Sequence, residues 1–71
     1  MHKGTVKRIM RERGFGFILA EDGREIFFHS AELQNVDFDE LKEGDHLEFT
    51  VTTEDKGPKA SNIKKTSEEN G

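Results

Sequence analysis

A chain of 71 residues with 31% hydrophobic and 37% charged side chains has room for one domain with a thin core. The lack of cysteine excludes disulfides and thiolate metal sites, and no apolar run approaches the ~20 residues of a membrane-spanning helix. A net charge of −4 counts against a nucleic-acid partner, yet residues 1–30 carry six basic against four acidic side chains and residues 31–71 five against eleven, so any anion-binding face belongs to the N-terminal half.

The opening Met1-His2-Lys3-Gly4-Thr5 has no apolar stretch of signal-peptide length, which points to an unsecreted, cytoplasmic protein. A first strand is predicted over Lys3–Met10, a second over Phe15–Leu19 and a third over Glu25–His29. Asp22-Gly23 signals a short hairpin between the last two. Val36-Asp37-Phe38-Asp39-Glu40 falls in a longer connection, and Lys42-Glu43-Gly44-Asp45 is turn chemistry. The clearest alternation follows in Leu47-Glu48-Phe49-Thr50-Val51-Thr52, with Leu47, Phe49 and Val51 on one face. A turn at Asp55-Lys56-Gly57-Pro58 precedes a last strand over Lys59–Lys65. One domain is assigned to residues 1–66 and a polar, disordered tail to 67–71. Five short strands and no long amphipathic helix predict an all-β, five-stranded antiparallel barrel, closed because so short a sheet would otherwise expose its edges.

Four of the six phenylalanines lie between residues 15 and 28. Alternation puts Phe15 and Phe17 on one face with Ile18 on the other, and Phe27 and His29 on one face with Ile26 and Phe28 opposite. A three-residue loop at Glu21-Asp22-Gly23 sets Phe17 against Phe27 and Phe15 against His29; a two-residue loop slips the register by one. The first register is favoured because it gathers the aliphatic residues on one side and leaves three rings and a histidine on the other. Read singly, each phenylalanine is more simply a core residue. Read as a set they are surplus, since Val6, Ile18, Ile26, Phe28, Leu47, Phe49, Val51 and Ile63 already supply an interior. Rings on a sheet surface stack bases with little sequence preference. Lys7, Arg8 and Arg13 flank them for phosphates, and Gly14 and Gly16 keep the surface clear and tolerate unusual backbone angles.

Arg13-Gly14-Phe15-Gly16-Phe17-Ile18 resembles the ribonucleoprotein motif RNP1, and Ile26-Phe27-Phe28-His29 resembles RNP2. The order, with RNP1 first and close to the N-terminus, does not fit an RRM. It is similar to that of the cold-shock domain, as are Gly4-Thr5-Val6-Lys7, Asp22-Gly23, Leu41-Lys42-Glu43-Gly44-Asp45 and the stretch from Lys56 to Ile63. The resemblance covers about residues 3–64 and implies an OB-fold barrel that binds single-stranded RNA or DNA, as an RNA chaperone or a regulator of gene expression. It implies base stacking by Phe15, Phe17, Phe27, His29 and the loop residue Phe38, with basic contributions from Lys7, Arg13 and Lys56. Two departures stand out: Arg8-Ile9 replace the family's usual Trp-Phe, and Ser30 replaces an aromatic after the RNP2 histidine. The Arg8 guanidinium can stack on a base and pair with phosphate, partly replacing one lost platform. Binding is expected to be retained but weaker than for a typical member.

His2, His29 and His46 are scattered without zinc spacing, no nucleophile motif is present, and Gly14-Phe15-Gly16 lacks the third glycine of a dinucleotide loop. Neither enzymatic activity, metal nor cofactor is expected. The expected partner is single-stranded nucleic acid bound by a monomer, with no membrane involved. The alternative is an OB-like module whose phenylalanines dock a protein, a reading that the acidic C-terminal half supports.

Overall fold

Residues 1–66 are described by the structure, a computed structural model, and the tail expected over 67–71 lies outside the described residues. Five strands form where alternation places them: β1 (His2–Met10), β2 (Phe15–Ala20), β3 (Glu25–His29), β4 (His46–Glu54) and β5 (Gly57–Lys65). They close into a barrel in the order β1-β2-β3-β5-β4. Four seams are antiparallel as predicted, but β3 and β5 pair in parallel, through Phe27 with Lys59 and Phe28 with Ala60. A closed ring with an odd number of strands cannot reverse direction at every seam, so the all-antiparallel reading is corrected at this one. The last hairpin is also tighter than predicted. Glu54 opposes Gly57 and Thr53 opposes Pro58, which leaves only Asp55-Lys56 as the turn.

The interior holds Val6, Ile18, Ile26, Phe28, Leu47, Phe49 and Ile63, as expected, together with Ala20, Leu41 and Ala60. Val51 is half-buried against this core rather than within it. Two breaks in the strict period of two decide which residues face inward. In β1 the register shifts between Val6 and Arg8, so Lys7 is the extra residue of a bulge. Without that shift, Arg8 would share the inward face of Val6. In β5, Asn62 takes φ +51°, a conformation asparagine tolerates better than most residues, and both Ala60 and Ile63 reach the core around it.

The connection from β3 to β4 contains two short 3-10 turns, Ser30–Glu32 and Phe38–Glu40. Long-range side-chain hydrogen bonds hold it to the barrel. Asn35 Oδ1 accepts from the Lys65 N–H at 2.8 Å and its Nδ2 donates to the Lys65 carbonyl at 3.2 Å, as a neighbouring strand would. Arg11, just beyond β1, donates to the carbonyls of Phe38 and Leu41 at 2.7 and 2.6 Å.

Candidate nucleic-acid interface

The β2–β3 hairpin adopts the register of the three-residue loop, with Phe17 opposite Phe27 and Phe15 opposite His29. The Gly23 N–H donates to the Ala20 carbonyl and the Ala20 N–H to the Arg24 carbonyl, each at 2.9 Å. Gly23 has φ +91°, which a side chain would strain. Asp22 braces the turn by accepting from the Arg24 N–H at 3.1 Å and from its Nε at 2.8 Å. The bond from the Arg24 backbone is the main cause that holds the Asp22 carboxyl below its ordinary 3.8.

This register brings Phe15, Phe17 and Phe27 into one cluster of half-buried rings, with centroids 5.4–6.0 Å apart. The planes are inclined by 43–88° rather than coplanar, so the edges of the rings brace one another. The β1 bulge adds Arg8 opposite Phe17 and Met10 opposite Phe15. On the far side β5 places Lys59 beside Phe27. One row therefore runs Arg8, Phe17, Phe27, Lys59 across four strands, and Lys56 with Pro58 lines a cleft against the two rings. Met10 and Lys59 are additions to the predicted set. Lys59 could not be found by following β2 and β3, because it arrives through the parallel seam.

Lys7 is exposed in the bulge with its Nζ 3.7 Å from Glu25, a surface pair of the kind worth little. Among the described residues Arg8, Arg13, Lys56 and Lys59 make no ion pair. Arg13 sits in the β1–β2 turn, immediately before the ring-bearing strand. His29 is exposed at the end of β3, and its Nδ1 accepts from the Ala31 N–H at 3.1 Å. The neutral ring thus carries its proton on Nε2, which remains available to donate.

One reading of the sequence needs correction here. Gly14 does adopt φ +77°, but Gly16 serves the core rather than the surface. A Cβ at Gly16 would stand 2.6 Å from the Arg8 carbonyl oxygen and 2.8 Å from the ring of buried Phe28. Phe38, the stacking residue expected in the connecting loop, makes no ring contact with the three-ring cluster. It is half-buried at the barrel end, edge-on to Phe28 at 6.4 Å and with the Arg11 guanidinium 5.9 Å from its centroid. Arg11 registers in the sequence only as one more positive charge; its partners are 27 and 30 residues away, beyond any local pattern. Of the other histidines, His2 stacks on Phe49 and His46 is exposed on β4.

A family model described as the 'Cold-shock' DNA-binding domain matches residues 2–66. The chain is 43% identical over 65 residues to the major cold shock protein of Streptococcus pyogenes serotype M6, covering 92% of this chain and 97% of that protein. It is 40% identical over 63 residues to cold shock protein 1 of Lactiplantibacillus plantarum, covering 89% and 96%. Among solved structures, the barrel is similar to Drosophila Unr CSD456, with a TM-score of 0.78 and 29% identity over 94% of this chain and 27% of the longer one.

Proposed function

The chain belongs to the cold-shock domain family, and from that membership we propose that it binds single-stranded nucleic acid by stacking bases on Phe15, Phe17, Phe27 and His29, with Phe38 contributing from the loop. The observation that carries this reading is the row Arg8, Phe17, Phe27, Lys59, in which two half-buried rings lie between cations. The core does not account for these rings, since Phe28 and Phe49 already fill it. Each base–ring stack contributes roughly 1–3 kcal/mol and accepts any base, because every base has a π-face. The inclination of the rings means that successive bases cannot lie in one plane, so the strand turns as it crosses the face.

Lys7, Arg8 and Arg13 on one side, and Lys56 and Lys59 on the other, flank the rings, and a short strand meets only a few of them with its phosphates. A phosphate near Lys7 competes with Glu25, and exchanging one exposed ion pair for another changes little. Stacking therefore dominates, which suits a chain of net charge −4. Melting or restraining RNA structure, as an RNA chaperone or a regulator of gene expression, is the role such a monomeric binder would serve.

Fluorescence anisotropy with labelled oligo-dT and oligo-U of about 7 nucleotides, against a duplex of the same length, tests the reading. Single strands should bind and the duplex should not, with a shallow salt slope because few counterions are released. A steep loss of affinity at moderate salt would contradict the dominance of stacking. No binding to any strand would mean that Arg8 and Ser30 mark a lost activity and would turn the search to a protein partner.

A further inference from the structure

The bulge at Lys7 turns Arg8 outward and sets it directly opposite Phe17, a pairing that puts Cβ atoms about 4.5–5.5 Å apart on one face. Beside the same bulge lies the turn from Lys42 to Asp45. The Gly44 N–H donates to the Val6 carbonyl at 2.8 Å and the Val6 N–H to the Asp45 carbonyl at 2.9 Å, which fixes Glu43 at the edge of β1. Lys7, Arg8, Glu25 and Glu43 line one cleft there. Lys7 is paired with Glu25 at 3.7 Å. The side chains of Arg8 and Glu43 are exposed and, among the described residues, make neither an ion pair nor a hydrogen bond. A fork of unused donors and a carboxylate of unused acceptors therefore stand next to a ring of the stacking row. A phosphate suits this cleft poorly, because the two carboxylates cancel the two cations. A neutral group with acceptors on one edge and donors on the next suits it well.

We propose that Arg8 and Glu43 make the position at Phe17 selective for guanine, an inference that rests on the base-stacking reading above. Guanine presents two adjacent acceptors, N7 and O6, which a guanidinium meets bidentately, the commonest specific contact of this side chain with a base. Beside them it carries the N1–H and the 2-amino group, donors that a carboxylate accepts. The other bases break this match. Adenine sets its amino donor beside N7, against the donors of Arg8, and the pyrimidines have no N7. In a single strand these edges are open to side chains. At this position a guanidinium thus replaces a sequence-tolerant aromatic platform with a group that reads one base.

The test places a single dG at each position of a labelled oligo-dT heptanucleotide in turn, with a single dA as the control, and reads anisotropy on wild type, Arg8→Lys and Glu43→Gln. Both side chains are exposed, so the variants keep the fold, and thermal melting checks this. At one position dG should bind about fivefold tighter than dT or dA, the low end of the discrimination given by a bidentate pair. Changing that dG to 7-deaza-dG, which lacks the N7 acceptor, should remove most of the gain. Arg8→Lys should do the same, since it keeps the charge and loses the fork. Glu43→Gln should reduce the gain, as should deoxyinosine, which lacks the 2-amino group. Equal affinity for dG, dA and dT at every position would overturn the inference and leave the base-stacking reading intact. A preference that survives Arg8→Lys would also overturn it. So would variants that shift every strand by the same factor, because Arg8 and Glu43 would then act only through their charge on the phosphates. Failure of the wild type to bind any heptanucleotide would sink the base-stacking reading and the guanine site with it.

Discussion

The β2–β3 hairpin and the connection from β3 to β4 both carry phenylalanine beside the core, and they position it by different means. In the hairpin the backbone ladder does the sorting: Phe27 faces out and Phe28 faces in because they are consecutive on one strand. The connection has an isolated bridge to β5, at Leu33 with Ile63, and side chains add to it, Gln34 and Asn35 bonding to β5 and Arg11 holding the turn of Phe38. Rings set by a ladder keep a fixed spacing and suit a surface that must stay in place. The ring on the connection is placed by residues distant in sequence, Arg11 and Phe28.

Substitutions in the two regions should therefore differ in size and in what they disturb. The largest effect belongs to the inward side of the hairpin. Phe28→Ala removes a fully buried ring that also packs against Gly16 and Phe38, at a cost of about 3–5 kcal/mol. In so small a domain that approaches the whole stability, and circular dichroism in urea should show a largely unfolded chain. A folded variant would mean that the ladder alone, without its core ring, holds the hairpin.

On the outward side, Arg8→Trp adds a platform opposite Phe17 and should tighten heptamer binding, by at most the roughly 1–3 kcal/mol of one stack and less for the lost charge. No gain in affinity would count against the view that the Arg8 position extends the stacking row. Asn35→Ala cuts the two Asn35 bonds to Lys65 of β5 at an exposed site, and should cost about 1 kcal/mol in urea unfolding without changing oligonucleotide affinity. A change in affinity of the same size would show that the two regions are coupled.

The smallest effect concerns the hairpin turn. The folded carboxyl of Asp22 titrates below its ordinary 3.8, so its contribution is present above that value and is lost as the pH falls through the lowered one. Wild type should lose slightly more stability over this acid range than Asp22→Asn, which cannot titrate. Identical pH profiles would show that the turn depends on its backbone bonds alone.

The division between ladder and connection is also the division between what could be read in the sequence and what could not. The strands, the register of Phe17 on Phe27 and most of the core follow from a period of two, which acts locally and leaves its mark in neighbouring residues. The outward placement of Arg8 depends on the bulge at Lys7, which alternation alone gets wrong. Lys59 enters the ring row through a parallel seam that exists only because the barrel closes with five strands. Gly16 looks like a surface feature until the Phe28 ring is seen against it. Phe38 was assigned to the stacking set by resemblance, and the arginine that bonds to its carbonyl is 27 positions away.

The most direct test of the central claim is the pair Phe17→Ala and Phe27→Ala, each measured by thermal melting and by anisotropy with a labelled heptanucleotide. Both rings are half-buried on the outer face, so each variant should remain folded while losing the roughly 1–3 kcal/mol of one stack, a drop in affinity of about fivefold or more. Folded variants that bind the heptamer as tightly as wild type would contradict the assignment of this face to nucleic acid.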